Sequence, residues 1–205
     1  MHGEAFTAKA GALFPQFAKF KKFYLVGGTA LALQIGHRIS VDFDFFSEEE
    51  LPARLLERVK RLFSTSSIQV TYRSPEQLNV LIDGVKATFF YYPYPIVEPL
   101  RTYQHIAIAS VSEIAVMKAL SIGGRLSYKD YVDWYFLLRE NHVHLAAVIH
   151  LANKKFGGDF NGRLFLGQLA SLEDVPVQKI DFLRGAVERG AIKKFLNAAV
   201  RNFKF

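Results

Sequence analysis

Two aspartates two residues apart, Asp42 and Asp44, sit in the apolar run VDFDFF at residues 41–46. Carboxylates are costly to desolvate, so two of them among phenylalanines need a reason. If the segment is a strand, residues i and i+2 point to the same side, with Cα atoms ~6.5–7 Å apart. Two carboxylates at that spacing repel unless a cation lies between them. Hard oxygen donors suit magnesium, which in turn suits phosphate chemistry. The bland reading is a solvated polar face on an edge strand. Upstream, Gly27-Gly28-Thr29 follows an apolar stretch and opens a helix-like one. Glycines there let backbone amides approach an anion, the helix dipole favours negative charge, and the Thr29 hydroxyl adds a donor. Alone, such a pair of glycines is more often a turn. The combination carries more, because Asp42 falls fourteen residues after Gly28. One strand–turn–helix–strand unit can then bring glycines and carboxylates to one end of a sheet. Arg38, in the connecting loop, is a phosphate ligand or a surface charge, and His37 a local loop fastener.

The elements that must position these residues follow from periodicity. Residues 5–20 predict an amphipathic helix with Leu13, Phe14, Phe17 and Phe20 on one side. A strand at 23–26 and a helix at 29–35 ending at Gly36 come next. Residues 40–46 alternate, with Val41, Phe43 and Phe45 inward and Ser40, Asp42 and Asp44 outward. A helix at 50–63 precedes a strand at 68–73 and a hairpin at 77–91 turning at Asp83-Gly84. The proline-broken YYPYPIVEP is irregular, and 105–109 gives a last strand. From Ser112, a plausible N-cap, the pattern is helical, with segments to 122 and at 127–139, 144–155, 162–171 and 178–202. The fold class is α+β: a mixed sheet-and-helix core over residues 1–110 and a helical domain over 111–205, packed against it.

The 205 residues suffice for such a core, and 19 Phe and 9 Tyr supply its bulk. With no cysteine, disulfides, thiolate metal sites and a Cys nucleophile are excluded. The N-terminus lacks a signal-peptide pattern, and no run reaches the ~18 apolar residues of a membrane span. A cytoplasmic protein without membrane attachment is expected. The net charge is +7, with clusters at Lys19, Lys21, Lys22 and at Lys193, Lys194, Arg201, Lys204. Such an excess suits a polyanion, or is a set of solvated lysines.

GGTALALQIGHRISVDFDFF resembles the signature of the AbiEii-type nucleotidyltransferase toxins, within the DNA polymerase beta-like superfamily. A second stretch, MKALSIGGRLSYKDYVDWYFLL, is similar to that family's helical Lys-Asp-x-x-Asp motif. The resemblance spans most of residues 23–140. It implies phosphate contacts from the Gly27-Gly28-Thr29 turn, beside the candidate Arg38, and magnesium or manganese on Asp42 and Asp44. It implies functional roles for Lys129, on nucleotide phosphate, and for Asp130 and Asp133. Without it, Lys129 and Asp133 at i and i+4 would be a surface ion pair of ~0.3–0.5 kcal/mol. The implied activity is transfer of a nucleoside monophosphate from an NTP to an acceptor hydroxyl, RNA or tRNA among the candidates, by a toxin of a toxin-antitoxin or phage-defence system, with a cognate antitoxin among its candidate partners. One feature departs from the superfamily. The strand VKATFF shows Lys86 and Thr88 where a third carboxylate is usual. A hydroxyl is no general base at neutral pH, so a binding module without transfer activity stands as the alternative.

Overall fold

The computed structural model describes residues 1–124 and 126–204. Arg125, inside the second motif, lies outside the described residues.

Pro15 breaks the predicted first helix in two. Its ring lacks the N–H of an i→i−4 bond and clashes one turn back. Helix α1 therefore spans only Ala8–Leu13, capped by the Thr7 hydroxyl, which accepts from the Ala10 amide at 3.3 Å. A 3-10 segment, Phe14–Lys19, follows with the proline in its first turn. The apolar side survives the break, since Leu13, Phe14, Phe17 and Phe20 are all buried.

Strand β1 (Tyr24–Val26) runs directly into α2 (Gly27–Ile35), which includes both glycines and stops at Gly36 in the left-handed conformation. Strand β2 spans Phe43–Ser47, not 40–46. Asp44 is thus in the strand and Asp42 just before it. Val41, expected inward, is 39% exposed, while Phe43 and Phe45 are buried as expected. Helix α3 (Leu55–Leu62) is shorter than the predicted 50–63. Strands β3 (Ile68–Arg73), β4 (Gln77–Ile82) and β5 (Val85–Tyr91) follow. The β4–β5 turn is built by Asp83 at φ 50° and Gly84 at φ 83°, the two left-handed positions of a type I′ turn. A second hairpin, β6 (Arg101–Tyr103) with β7 (Ile106–Ile108), was not expected in its first strand.

These strands form one sheet in the order β3-β4-β5-β2-β1-β7-β6. β1 pairs antiparallel with β2 and parallel with β7, and β2 pairs parallel with β5, so the sheet is mixed. One face carries an aromatic core, with Phe17 4.7 Å from Phe45 and 5.1 Å from Phe63, and Phe45 stacked on Phe89 at 5.6 Å. Burying rings of this size supplies much of the driving force for this unit.

The chain divides into two units, one of residues 1–95 and 100–109, the other of 96–99 and 110–205. The sheet belongs to the first. The second contains α4 (Val111–Ser121), α5 (Tyr128–Arg139), α6 (Leu145–Phe156), α7 (Gly162–Ala170) and α8 (Arg189–Arg201). The N-cap of α4 is Ser110, whose hydroxyl accepts from the Glu113 amide at 3.2 Å, rather than Ser112. Ser110 and Glu113 have the spacing of a capping box. The predicted helix 178–202 is real only from Arg189. Residues before it are tethered to α5 instead, Arg184 by an ion pair with Glu140 (3.0 Å) and Phe182 against Phe136. Among the described residues no helix is long and apolar enough to cross a membrane.

Candidate active site

The site of the first unit forms where β1 ends. Gly27 has φ 72°, a region that an L side chain enters only with strain. A Cβ there would lie 2.7 Å from Asp44 Oδ2. A Cβ on Gly28 would lie 2.4 Å from Arg38 Nη2 and 3.4 Å from Ser40 Oγ. The two glycines therefore make room for one acidic and one basic group, each pressed against the start of α2. Val26 at the N-cap supplies no side-chain acceptor to the first amides of the helix. An anion is favoured at such an end by amides and dipole together.

Arg38 is not a surface charge. It is buried at 3% exposure, and its Nη1 donates to the Ile39 carbonyl at 3.1 Å. A buried guanidinium against the glycine turn fits a phosphate in shape and charge. His37 is fully buried beside it. Thr29 is also buried, and its hydroxyl is within hydrogen-bonding reach of Ser40 Oγ at 2.8 Å and of the Asp42 carbonyl. Phosphate contact was expected of this hydroxyl. In the structure it ties α2 to the loop that carries Asp42.

Asp42 and Asp44 are both half-buried. In the ladder Asp44 stands beside Val26 on β1 and beside Thr88 on β5, and Thr88 in turn beside Asn79 on β4. The position next to Asp44 thus holds a hydroxyl flanked by an amide. Among the described residues no group of three or more His, Cys, Asp or Glu side chains is placed to hold a metal. Two carboxylates still match magnesium, which commonly takes one or two from the protein and completes its octahedron with water and substrate phosphate.

The second motif lies in the second unit. Asp130 and Asp133 are buried, and both accept from Lys118 Nζ of α4 at 2.7 Å. Burial alone would lower the Lys118 pKa, but the charges of Asp133 and Asp130 overcome it and hold it above the ordinary lysine value. Lys129 is exposed and forms no ion pair among the described residues, so in place of the alternative surface pair with Asp133 there is a buried one between Asp133 and Lys118. Sequence reasoning missed Lys118. Its signal was a lone lysine inside the apolar helix IAVMKAL, a placement that requires a carboxylate partner. A second buried pair, Lys155 with Glu113 at 2.6 Å, was also missed. The Glu113 carboxylate additionally accepts from the amides of Val97 and Glu98, at 3.1 and 3.0 Å.

A family model described as the nucleotidyl transferase AbiEii toxin, Type IV toxin-antitoxin system, matches residues 11–203. The chain belongs to this family. An uncharacterized protein of Aquifex aeolicus (strain VF5) is 39% identical over 136 residues, spanning 65% of this chain and 66% of that protein, just under two thirds of each. Among solved structures, an H. pylori protein assigned to the nucleotidyltransferases aligns with TM-score 0.61 and 18% identity, covering 95% of this chain and 94% of its own. JHP933 of Helicobacter pylori aligns with TM-score 0.53 and 16% identity, covering 93% and 89%. These likenesses identify the α+β fold as one shared with both solved structures, and the AbiEii assignment agrees with the two motifs read from sequence.

Proposed function

We propose that this AbiEii-family protein transfers a nucleoside monophosphate from an NTP to an acceptor hydroxyl, and that the site at the β1–α2 junction performs it. The observation that carries the reading is the packing of Asp44 and Arg38 against Gly27 and Gly28. An acid for a metal and a base for a phosphate meet at a helix N-terminus. The first amides of α2 and Arg38 hold the β- and γ-phosphates. Asp42 and Asp44 are the groups that would hold magnesium or manganese. That ion, when bound, neutralises phosphate charge and aligns the nucleotide for in-line displacement. Thr29 and Ser40 position the Asp42 loop. The acceptor oxygen bonds to the α-phosphorus, the bond to the bridging oxygen breaks, pyrophosphate leaves, and the acceptor proton passes to water. Positioning and electrostatics carry the rate.

On the second motif, Lys129 is assigned to phosphate, as an exposed cation. Asp130 and Asp133 serve through Lys118, because a carboxylate held by a buried ammonium is a weak base. The acceptor is RNA, tRNA included, in keeping with the net charge of +7. The protein acts in the cytoplasm, and a cognate antitoxin restrains it, as a toxin-antitoxin family suggests. A second reading has specific support. Thr88 beside Asp44 leaves β5 without a general base, as in a nucleotide-binding module that does not transfer.

Radiolabelled NTPs incubated with magnesium, total RNA and the protein test both readings. Transfer labels RNA, and Asp42→Asn and Asp44→Asn each lower labelling on the order of 10²–10³-fold. An NTP that raises the melting temperature but labels nothing selects the binding module. An NTP that neither stabilises nor labels overturns both.

A further inference from the structure

Phe46 and Phe90 are neighbours on paired strands, two residues beyond Asp44 and Thr88 respectively. Strand alternation places all four on one face. Their rings lie 5.1 Å apart, Phe46 lies 5.0 Å from Tyr92, and Tyr92 5.1 Å from Tyr94. All four rings are half-buried, in contrast to the fully buried Phe43, Phe45 and Phe89 of the opposite face. Core packing therefore does not account for them. Beside this shelf, Gln77 stands in register with Phe90 and Asn79 with Thr88, and the Gln77 amide donates to Asn79 Oδ1 at 2.9 Å. On the same face of β5, two residues to the other side of Thr88, Lys86 is exposed.

The sequence of features along this face is a cation, a carboxylate beside a hydroxyl, then a cluster of mutually tilted aromatic rings edged by amides. That order matches a nucleotide unit, with its phosphate, its sugar hydroxyls and its base. Aromatic platforms bind bases of any identity through their π-faces, and flanking amides meet base edges. Two nucleotides meet in the transfer reaction, and geometry decides between them. In-line displacement sets the incoming hydroxyl opposite the departing pyrophosphate. The glycine turn lies on the β1 side of Asp44, and the shelf begins on the β2–β5 side.

We propose that Phe46, Phe90, Tyr92 and Tyr94 form the stacking platform for the terminal base of a single-stranded nucleic-acid acceptor, with Lys86 on its backbone phosphate. This rests on the proposed function, because it takes the pyrophosphate to sit at the glycine turn. The test uses the full chain with magnesium and two fluorescein-labelled ten-nucleotide RNAs, identical except that one has an abasic 3′-terminal residue. Wild-type protein binds the intact RNA about tenfold more tightly. Phe46→Leu and Phe90→Leu bring the two RNAs to equal affinity, while the rise in melting temperature caused by NTP is unchanged. Equal binding of both RNAs by wild-type protein overturns the platform, with no variant needed. So does discrimination retained in both variants. A parallel loss of the NTP-induced rise overturns it in favour of the NTP's own base, and label appearing on protein in place of RNA overturns the acceptor class. Absence of any NTP-induced rise in wild-type protein is the separate signature that the proposed function itself fails.

Discussion

Replacing Gly27 by alanine does two separable things. The residue has φ 72°, and an L side chain in the left-handed region costs about 1–2 kcal/mol. The added Cβ also arrives 2.7 Å from Asp44 Oδ2. To reach ordinary contact the carboxylate must withdraw by roughly 0.5–1 Å, beyond the ~0.5 Å within which a working site must be held. Gly84 provides the control. It has φ 83°, and nothing lies within 4 Å of the Cβ position. Gly84→Ala therefore carries the backbone cost alone. For a chain of this size that is a melting temperature lower by roughly 2–8 °C, at ~2–4 °C per kcal/mol. NTP binding and transfer stay at wild-type levels. Gly27→Ala loses at least as much stability, and transfer falls on the order of 10²-fold from the misplaced carboxylate. Circular-dichroism melts and labelled-NTP assays on the two variants together measure both parts. If Gly27→Ala matches Gly84→Ala in melting temperature and keeps full transfer, the contact with Asp44 is not what Gly27 serves, and the site has been built wrongly.

Two further outcomes are expected in the second unit. Lys118→Met strips the buried Asp130 and Asp133 carboxylates of their shared ammonium, and breaking such a pair costs about 3–5 kcal/mol; the Lys118→Met/Asp130→Asn/Asp133→Asn variant recovers most of it, and urea denaturation that shows no loss in the single variant refutes the pairing. The raised Lys118 pKa sets the direction of the pH effect: its stabilisation is complete below the unfolded lysine value of ~10.4 and disappears as pH rises through the higher folded value. Denaturation midpoints between neutral and strongly alkaline pH show this late loss in wild-type protein, and a loss already complete near pH 9 contradicts it.

Local chemistry made the hairpin readable, because Asp83-Gly84 is the dipeptide that a type I′ turn demands. The strand-to-helix glycines and the phenylalanines of β2 were readable for the same kind of reason. The β6–β7 hairpin was not, because Gln104 and His105 take the two left-handed positions at φ 49° and 63° without any residue that advertises them. Pro15 was visible, but the amphipathic pattern around it argued for one helix, and the proline won. At the site, Asp42 and Asp44 stood out by spacing and Arg38 by its loop. The reason for the glycines did not, since the crowding of Gly27 by Asp44 and of Gly28 by Arg38 exists only once the chain is folded. Lys118 was hidden because its partners lie twelve and fifteen residues away, on the next helix.

Glu113 has a consequence for how this protein can be taken apart. Its carboxylate holds the amides of Val97 and Glu98 as well as Lys155. Residues 96–99 therefore belong with the helices, although sheet strands precede and follow them in the chain. The polypeptide crosses between units three times, after Pro95, Pro99 and Ala109. A cut after Ala109 separates neither unit cleanly: the helical fragment keeps a buried Glu113 stripped of two of its donors, and the sheet fragment carries Val97 and Glu98 with their acceptor gone. Halves expressed from such a cut lose these bonds and aggregate or unfold.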